Sequence, residues 1–133
     1  MKYTSCFIGI PLPTEFEEDF KELGLKIEGI LPGIALSYAK TPHITLYYLD
    51  MKSQNNLDEI ANMIKHSKKI IANVCLSIGG FGLFSPNNSK VLFIGVDSEP
   101  RLTTFNELIS KDLNDYSAID NTLGFKPHIT LGR

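Results

Sequence analysis

The sequence is sparing with cysteine, with positive charge and with long apolar runs, and each shortage excludes a class of protein. Its 133 residues contain two cysteines, Cys6 and Cys75. Each lies in an apolar stretch, so both are expected to be small buried hydrophobes in a reducing compartment. Thirteen Lys and Arg stand against fifteen Asp and Glu, a formal net charge of −2. A large non-specific nucleic-acid footprint needs a basic surface and is excluded; a small phosphate-bearing substrate, or one end of an RNA strand, is not. No run reaches the apolar length of a membrane span, and no membrane partner is expected. The opening MKYTSCFIGIPLP lacks the long apolar region and cleavage site of a secretory signal, and reads as the first strand of a cytoplasmic protein. His-x-His and His-Glu-x-x-His are absent as well. Zinc therefore finds no third ligand at useful spacing, and no metal or other cofactor is expected.

What is present fits one domain with a real core: 43% hydrophobic and 21% charged residues, with no linker and no low-complexity segment. Residues 3–10, YTSCFIGI, read as a buried strand ending at Pro11. Thr14 and Glu17 form a capping-box pattern, and Phe16, Phe20, Leu23 and Ile27 mark one face of a helix that Gly29, Pro32 and Gly33 end. IALSYAK predicts a strand, broken at Pro42, and a second begins at His43. Asn56 and Glu59 repeat the capping pattern, ahead of a helix with Leu57, Ile60, Ala61, Ile64 and Ile71 on its apolar face. NVCLSIGGFGLF and KVLFIGVD predict two strands joined by a turn at SPNNS. A third helix follows, with Pro100 at its start and Leu102, Phe105, Ile109, Leu113 and Tyr116 on one side; FKPHITLGR closes the chain as a strand. The class is α+β with largely antiparallel sheets.

One string occurs twice: PHITL, at 42–46 and again at 127–131. His43 and His128 are 85 residues apart, as are Phe20 and Phe105, and Leu23 and Leu108; FIGI and FIGV begin 86 apart, at Phe7 and Phe93. Self-similarity at a near-constant offset marks an internal repeat. The expectation is one domain, 1–133, made of two pseudo-symmetric halves, about 1–86 and 87–133, packed about a pseudo-two-fold axis. The first half continues beyond its PHITL strand and the second stops at Arg133. The protein is thus either a short version or a truncated chain, and its C-terminal lobe is expected to be thin or incomplete.

Side chains two apart on a strand share a face. His43 and Thr45 therefore point one way and Ile44 and Leu46 the other; His128 and Thr130 stand in the same relation to Ile129 and Leu131. With the apolar pairs in the core, the polar pairs face a cleft. That set suits in-line displacement at phosphorus without a metal. An unperturbed histidine titrates near pH ~6.5, so one imidazole can take a proton from the attacking oxygen while the other protonates the leaving one. Threonine hydroxyls can donate to the non-bridging oxygens. A single His-x-Thr on a strand is more often structural. Its duplication favours function, because core packing has no use for a second His and Thr. Tyr47 shares the face of His43 by alternation and borders the cleft, either to stack on a base or simply to pack. His66, in KHSKK, reads as a solvated helix residue. GGFG at 79–82 reads as a bulge or a close backbone approach rather than a phosphate loop, since no Lys-Ser/Thr follows it.

Paired His-x-Thr motifs, each followed by Leu, on a duplicated α+β frame resemble the 2H phosphoesterase superfamily. Within it the chain looks like the LigT-like RNA 2′,3′-cyclic phosphodiesterases, also called 2′-5′ RNA ligases. CFIGIPLP is similar to the family's first strand, LSIGGFGLFSPNNSKVLFIGV to its central hairpin, and PHITLGR to its second motif with a trailing arginine. The resemblance implies a bilobal fold, two antiparallel sheets flanking a central cleft with helices outside. It implies hydrolysis of RNA or nucleotide 2′,3′-cyclic phosphates to 2′-phosphomonoesters, with no cofactor, by a monomer acting on an RNA end or a nucleotide. Carried over, His43 protonates the departing 3′ oxygen and His128 activates water, although a near-symmetric site permits the reverse. Thr45, Thr130 and Arg133 bind the phosphate. Strict alternation turns Arg133 away, so the strand has to bend or end there, which Gly132 allows. Other readings stay open: a 2′-5′ phosphodiesterase or reversible ligase, and a non-catalytic module that binds nucleotides or RNA ends.

Overall fold

The computed structural model describes residues 4–36, 41–51, 57–72, 74–85, 90–97, 99–118, 121 and 124–133. Among these residues, five strands and three α-helices run in the order β1 (Thr4–Pro11), α1 (Glu17–Ile30), β2 (His43–Met51), α2 (Leu57–Lys65), β3 (Ile78–Phe84), β4 (Val91–Val96), α3 (Pro100–Asp112) and β5 (His128–Gly132). The strands lie in the order β1-β2-β5-β4-β3. The pairings of β2 with β5, β5 with β4 and β4 with β3 are all antiparallel. The α+β class holds. In place of two sheets flanking a cleft, the described strands form one five-stranded sheet. The reason is local: the two PHITL strands hydrogen-bond to each other, with Ile44 opposite Ile129, instead of facing one another across a gap.

The chain divides into two compact units that interleave in sequence. One comprises Met1–Gly9, Thr45–Leu76 and Ser98–Pro127; the other comprises Ile10–Ile44, Ser77–Asp97 and His128–Arg133. The first is organised around α3. Glu99 caps this helix by accepting from the Arg101 backbone N–H, and Pro100 occupies its first turn, where a missing N–H costs nothing. Leu102, Phe105, Ile109 and Leu113 recur at helical spacing and are each 1% exposed or less. Leu46, Leu49, Ile60 and Ala118 are buried in the same unit. Two asparagine amides serve the β2 backbone there. Asn106 Nδ2 donates to the Leu46 carbonyl at 2.7 Å. Asn121 accepts from Tyr48 N–H at 3.0 Å and donates to the Tyr48 carbonyl at 2.7 Å, so one side chain takes the place of a strand partner.

The second unit holds β3, β4, β5, α1 and His43–Ile44 of β2. Its core is Phe20 and Ile27 of α1 with Ile44, Val91, Leu92, Ile94, Val96, Ile129 and Leu131 of the strands. The Thr14–Glu17 capping box is not made. Pro13 leads a short 3-10 turn, Thr14–Phe16, whose carbonyl partner is Pro13, and no side chain caps either that turn or α1. Near the C-terminus, Arg133 and Ala35 exchange both backbone hydrogen bonds at 3.1 Å. A Cβ at Gly132 would lie 2.5 Å from the Ala35 carbonyl oxygen, so only glycine lets the two segments approach.

Other expectations change in detail. β1 is an edge strand and not a buried one, with Phe7 47% exposed. The second helix ends at Lys65, and Ile71 belongs to a following 3-10 turn, Ser67–Ile71. Cys75 is exposed, because residues 74–77 precede β3 and are not part of it; Cys6 is half-buried. The Asn56 cap, the SPNNS turn beyond Ser85 and most of the IALSYAK strand lie outside the described residues.

Candidate active site

The backbone decides which side chains meet. In the antiparallel pair of β2 and β5, Ile44 stands opposite Ile129, with 1% and 0% exposure. One residue along each strand, the same register sets His43 opposite Thr130, on the other face of the sheet. His128 lies two residues before Thr130 on that face and is the diagonal neighbour of His43. Such diagonal positions are about 7–8 Å apart across a sheet, within reach of long side chains. The next strand continues the face: Phe93 is opposite Thr130 and Gly95 opposite His128. His43, His128 and Thr130 are all half-buried, while Ile44, Ile129 and Leu131 are buried behind them. The alternation read from PHITL is therefore realised in both copies.

His43 is oriented by its own entry turn. Its Nδ1 lies 2.9 Å from the Thr41 carbonyl. A carbonyl can only accept, so Nδ1 carries the hydrogen and proton exchange on the neutral ring falls to Nε2. Pro42 is buried, and its carbonyl accepts from Leu12 N–H at 3.1 Å, which fixes the turn that aims the ring.

His128 is held by aromatic rings. Its centroid is 5.4 Å from that of Phe84, with planes at 83°, and 5.4 Å from that of Phe93, with planes at 64°. Phe84 and Phe93 are themselves 5.3 Å apart. Edge-on contact at these separations is the favoured arrangement of π rings. Neither phenylalanine stands out in the sequence as a site residue. Phe93 appears there only as the first letter of a repeated strand, and the signal that would have found it, its cross-strand register, is tertiary.

Arg133 is exposed at the end of β5. Phe93 pairs with Thr130 but Leu92 pairs with Gly132, so β5 carries a bulge at Leu131. One extra residue advances the alternation by one, and the register position of Arg133 returns to the face of Thr130. Thr45 belongs to the other compact unit and is half-buried there, two residues along β2 from His43. Tyr47, in that same unit, is 3% exposed. A ring that stacks on a base needs an open face, so of the two roles weighed for Tyr47 burial favours packing. His66 is exposed, ahead of the 3-10 turn that follows α2. Among the described residues no group of three or more His, Cys, Asp or Glu side chains is placed to hold a metal ion. No described helix is long and apolar enough to cross a membrane.

Comparison with known proteins bears on the same strands. The family model for the 2′-5′ RNA ligase superfamily matches residues 17–133, a span that includes both PHITL copies. No curated protein matches the sequence. Among solved structures, the fold is similar to that of TT0787 of Thermus thermophilus, with a TM-score of 0.65 and 21% identity. That likeness covers all of this chain and 74% of the other.

Proposed function

Because this chain belongs to the 2′-5′ RNA ligase superfamily, within the 2H phosphoesterases, we propose that its phosphoesterase or ligase-type role takes the form of metal-independent hydrolysis of 2′,3′-cyclic phosphates on RNA ends or nucleotides. The observation that carries the reading is the register of β2 on β5, which sets His43 and His128 on one sheet face as diagonal neighbours. A phosphorus centre with an oxygen on either side fills such a separation. Water attacks phosphorus, and one imidazole takes its proton. The P–O3′ bond breaks, and the other imidazole protonates the departing 3′ oxygen. The products are a 2′-phosphomonoester and a 3′ hydroxyl, and each histidine ends in the protonation state the other began in.

We assign His43 to the leaving oxygen and His128 to the water. The bond from His43 Nδ1 to Thr41 supports a fixed ring that delivers its proton from Nε2. Thr130, opposite His43, and Thr45, on His43's side of β2, donate to the non-bridging oxygens. Arg133 adds positive charge at the phosphate, and the bulge at Leu131 supports its return to that face. The duplicated reading of the fold gains support from the same pairing: Ile44 and Ile129 are the same letter of the two PHITL copies and stand opposite each other.

The test is turnover of a 2′,3′-cyclic nucleotide and of an RNA ending in a cyclic phosphate, with product position read by phosphorus NMR. His43→Ala and His128→Ala are each expected to lower kcat by about 10²–10⁴-fold, the usual contribution of a general acid or base. Retained turnover in both variants removes the two-histidine mechanism. Since the family description names 2′-5′ ligation, 2′-5′-linked oligonucleotides form the second substrate arm, and a faster rate on them shifts the assignment to that linkage. Nucleotide binding with no turnover of any diester identifies a binding module instead.

A further inference from the structure

His128 needs more than a strand position to act. An imidazole on a strand retains rotation about two side-chain bonds, and a catalytic group displaced by about 1 Å can cost on the order of 10²-fold in rate. The residue directly opposite His128 on β4 is Gly95, which has no side chain with which to steady it. On the diagonal Phe93 meets the His128 ring at 5.4 Å, and Phe84, on β3, meets it at the same separation.

The phenylalanines are in turn seated on a glycine. Gly82 of β3 is directly opposite Phe93. A Cβ at Gly82 would lie 2.8 and 2.9 Å from the two Cε atoms of the Phe93 ring and closer still to Cζ, so the tip of the ring occupies the space a side chain would need. The three rings are not part of the core. Phe84, Phe93 and His128 are half-buried on the histidine face, while the buried Leu92, Ile94, Ile129 and Leu131 take the other. A glycine that admits a ring, and two rings that close on one histidine, form a chain of contacts ending at a candidate acid/base group.

We propose that Phe93, seated on Gly82 and braced by Phe84, is a positioning residue that holds the His128 imidazole in its working orientation. This rests on the reading of His128 as one half of the acid/base pair. Gly82 acts through Phe93, and neither touches the reacting atoms.

The experiment compares Phe93→Leu, Phe84→Leu, Gly82→Ala and the double variant Gly82→Ala with Phe93→Leu. It records kcat and KM on a 2′,3′-cyclic nucleotide, the thermal midpoint, and imidazole proton–nitrogen NMR spectra across pH. Phe93→Leu is expected to lower kcat by about 10–100-fold with little change in KM, and to move the His128 signals while those of His43 stay in place. Gly82→Ala crowds the ring and lowers both stability and kcat. In the double variant the smaller leucine relieves the crowding, so the thermal midpoint recovers while kcat and the His128 signals do not. Recovery of kcat together with stability makes the cluster merely structural and overturns the proposal. So does wild-type kcat with wild-type His128 signals in Phe93→Leu, or in Phe84→Leu should the former not fold. If the wild-type protein turns over no cyclic phosphate, the functional reading fails by itself. The His128 spectra then decide the positioning: unchanged signals in the variants overturn it, and signals displaced at His128 alone sustain it.

Discussion

Single residues divide into those whose role is written in their type and those whose role depends on a partner. His43, Thr45, His128 and Thr130 belong to the first group, since a repeated His-x-Thr on a strand carries its own argument. Asn121 belongs to the second. Nothing in the sequence marks it, yet its amide pairs with both the N–H and the carbonyl of Tyr48. The cysteines show how far an apolar neighbourhood can mislead. Their apolar neighbours predict burial for both, but Cys75 is exposed and Cys6 half-buried. Partial burial raises the Cys6 pKa above the ordinary thiol value, and the Asp50 carboxylate raises it further. A raised thiol pKa means less thiolate at a given pH, and the thiolate is the reactive form. Iodoacetamide at mildly alkaline pH is therefore expected to label Cys75 well before Cys6, as mass spectrometry of the tryptic peptides reads directly. Faster labelling of Cys6 contradicts both its burial and its environment.

At the level of elements, periodicity identified what packing then used. The face of α3 read from Leu102, Phe105, Ile109 and Leu113 is the buried face, with every one of the four at 1% exposure or less. Phe105→Ala is expected to cost about 3–5 kcal/mol, the range for removing a buried aromatic, seen as a lowered urea midpoint at unchanged slope. A cost below about 1 kcal/mol means that α3 is not the centre of its unit. Helix starts were legible only where the cap was local. Pro100 lies in the first turn of α3 as its type favours, whereas the Glu99 cap is not marked by residue type. Thr14 and Glu17 have the right spacing but form no box, because the 3-10 turn after Pro13 claims Thr14–Phe16 first. Of the two alternatives read for the GGFG segment the bulge is the one found, since the register with β4 shifts between Ile78 and Phe81; what Gly82 admits is the Phe93 ring, a side chain and not a backbone.

For the molecule as a whole, two-histidine catalysis entails a bell-shaped pH dependence of kcat/KM, because one imidazole must start neutral and its partner protonated. Turnover should be the same with EDTA present. A profile with a single limb, or activity lost to EDTA and restored by a divalent ion, contradicts two-histidine catalysis. The sequence by itself determined the α+β class, the presence of three helices and the buried face of α3, the paired His-x-Thr motifs and which letters of PHITL turn inward, since all of these follow from residue type and from the strand and helix periods; Phe16 and Leu57, read onto the apolar faces of the first two helices, are exposed. Tertiary structure alone decided the rest. It joined the strands into one sheet by pairing β2 with β5, and built each compact unit from segments of both sequence halves. It buried Tyr47, brought Phe84 and Phe93 to His128, and set Gly82 against the Phe93 ring. The physical reason is that alternation along one strand says which way a side chain points, whereas what it meets depends on the register of strands that are far apart in the chain.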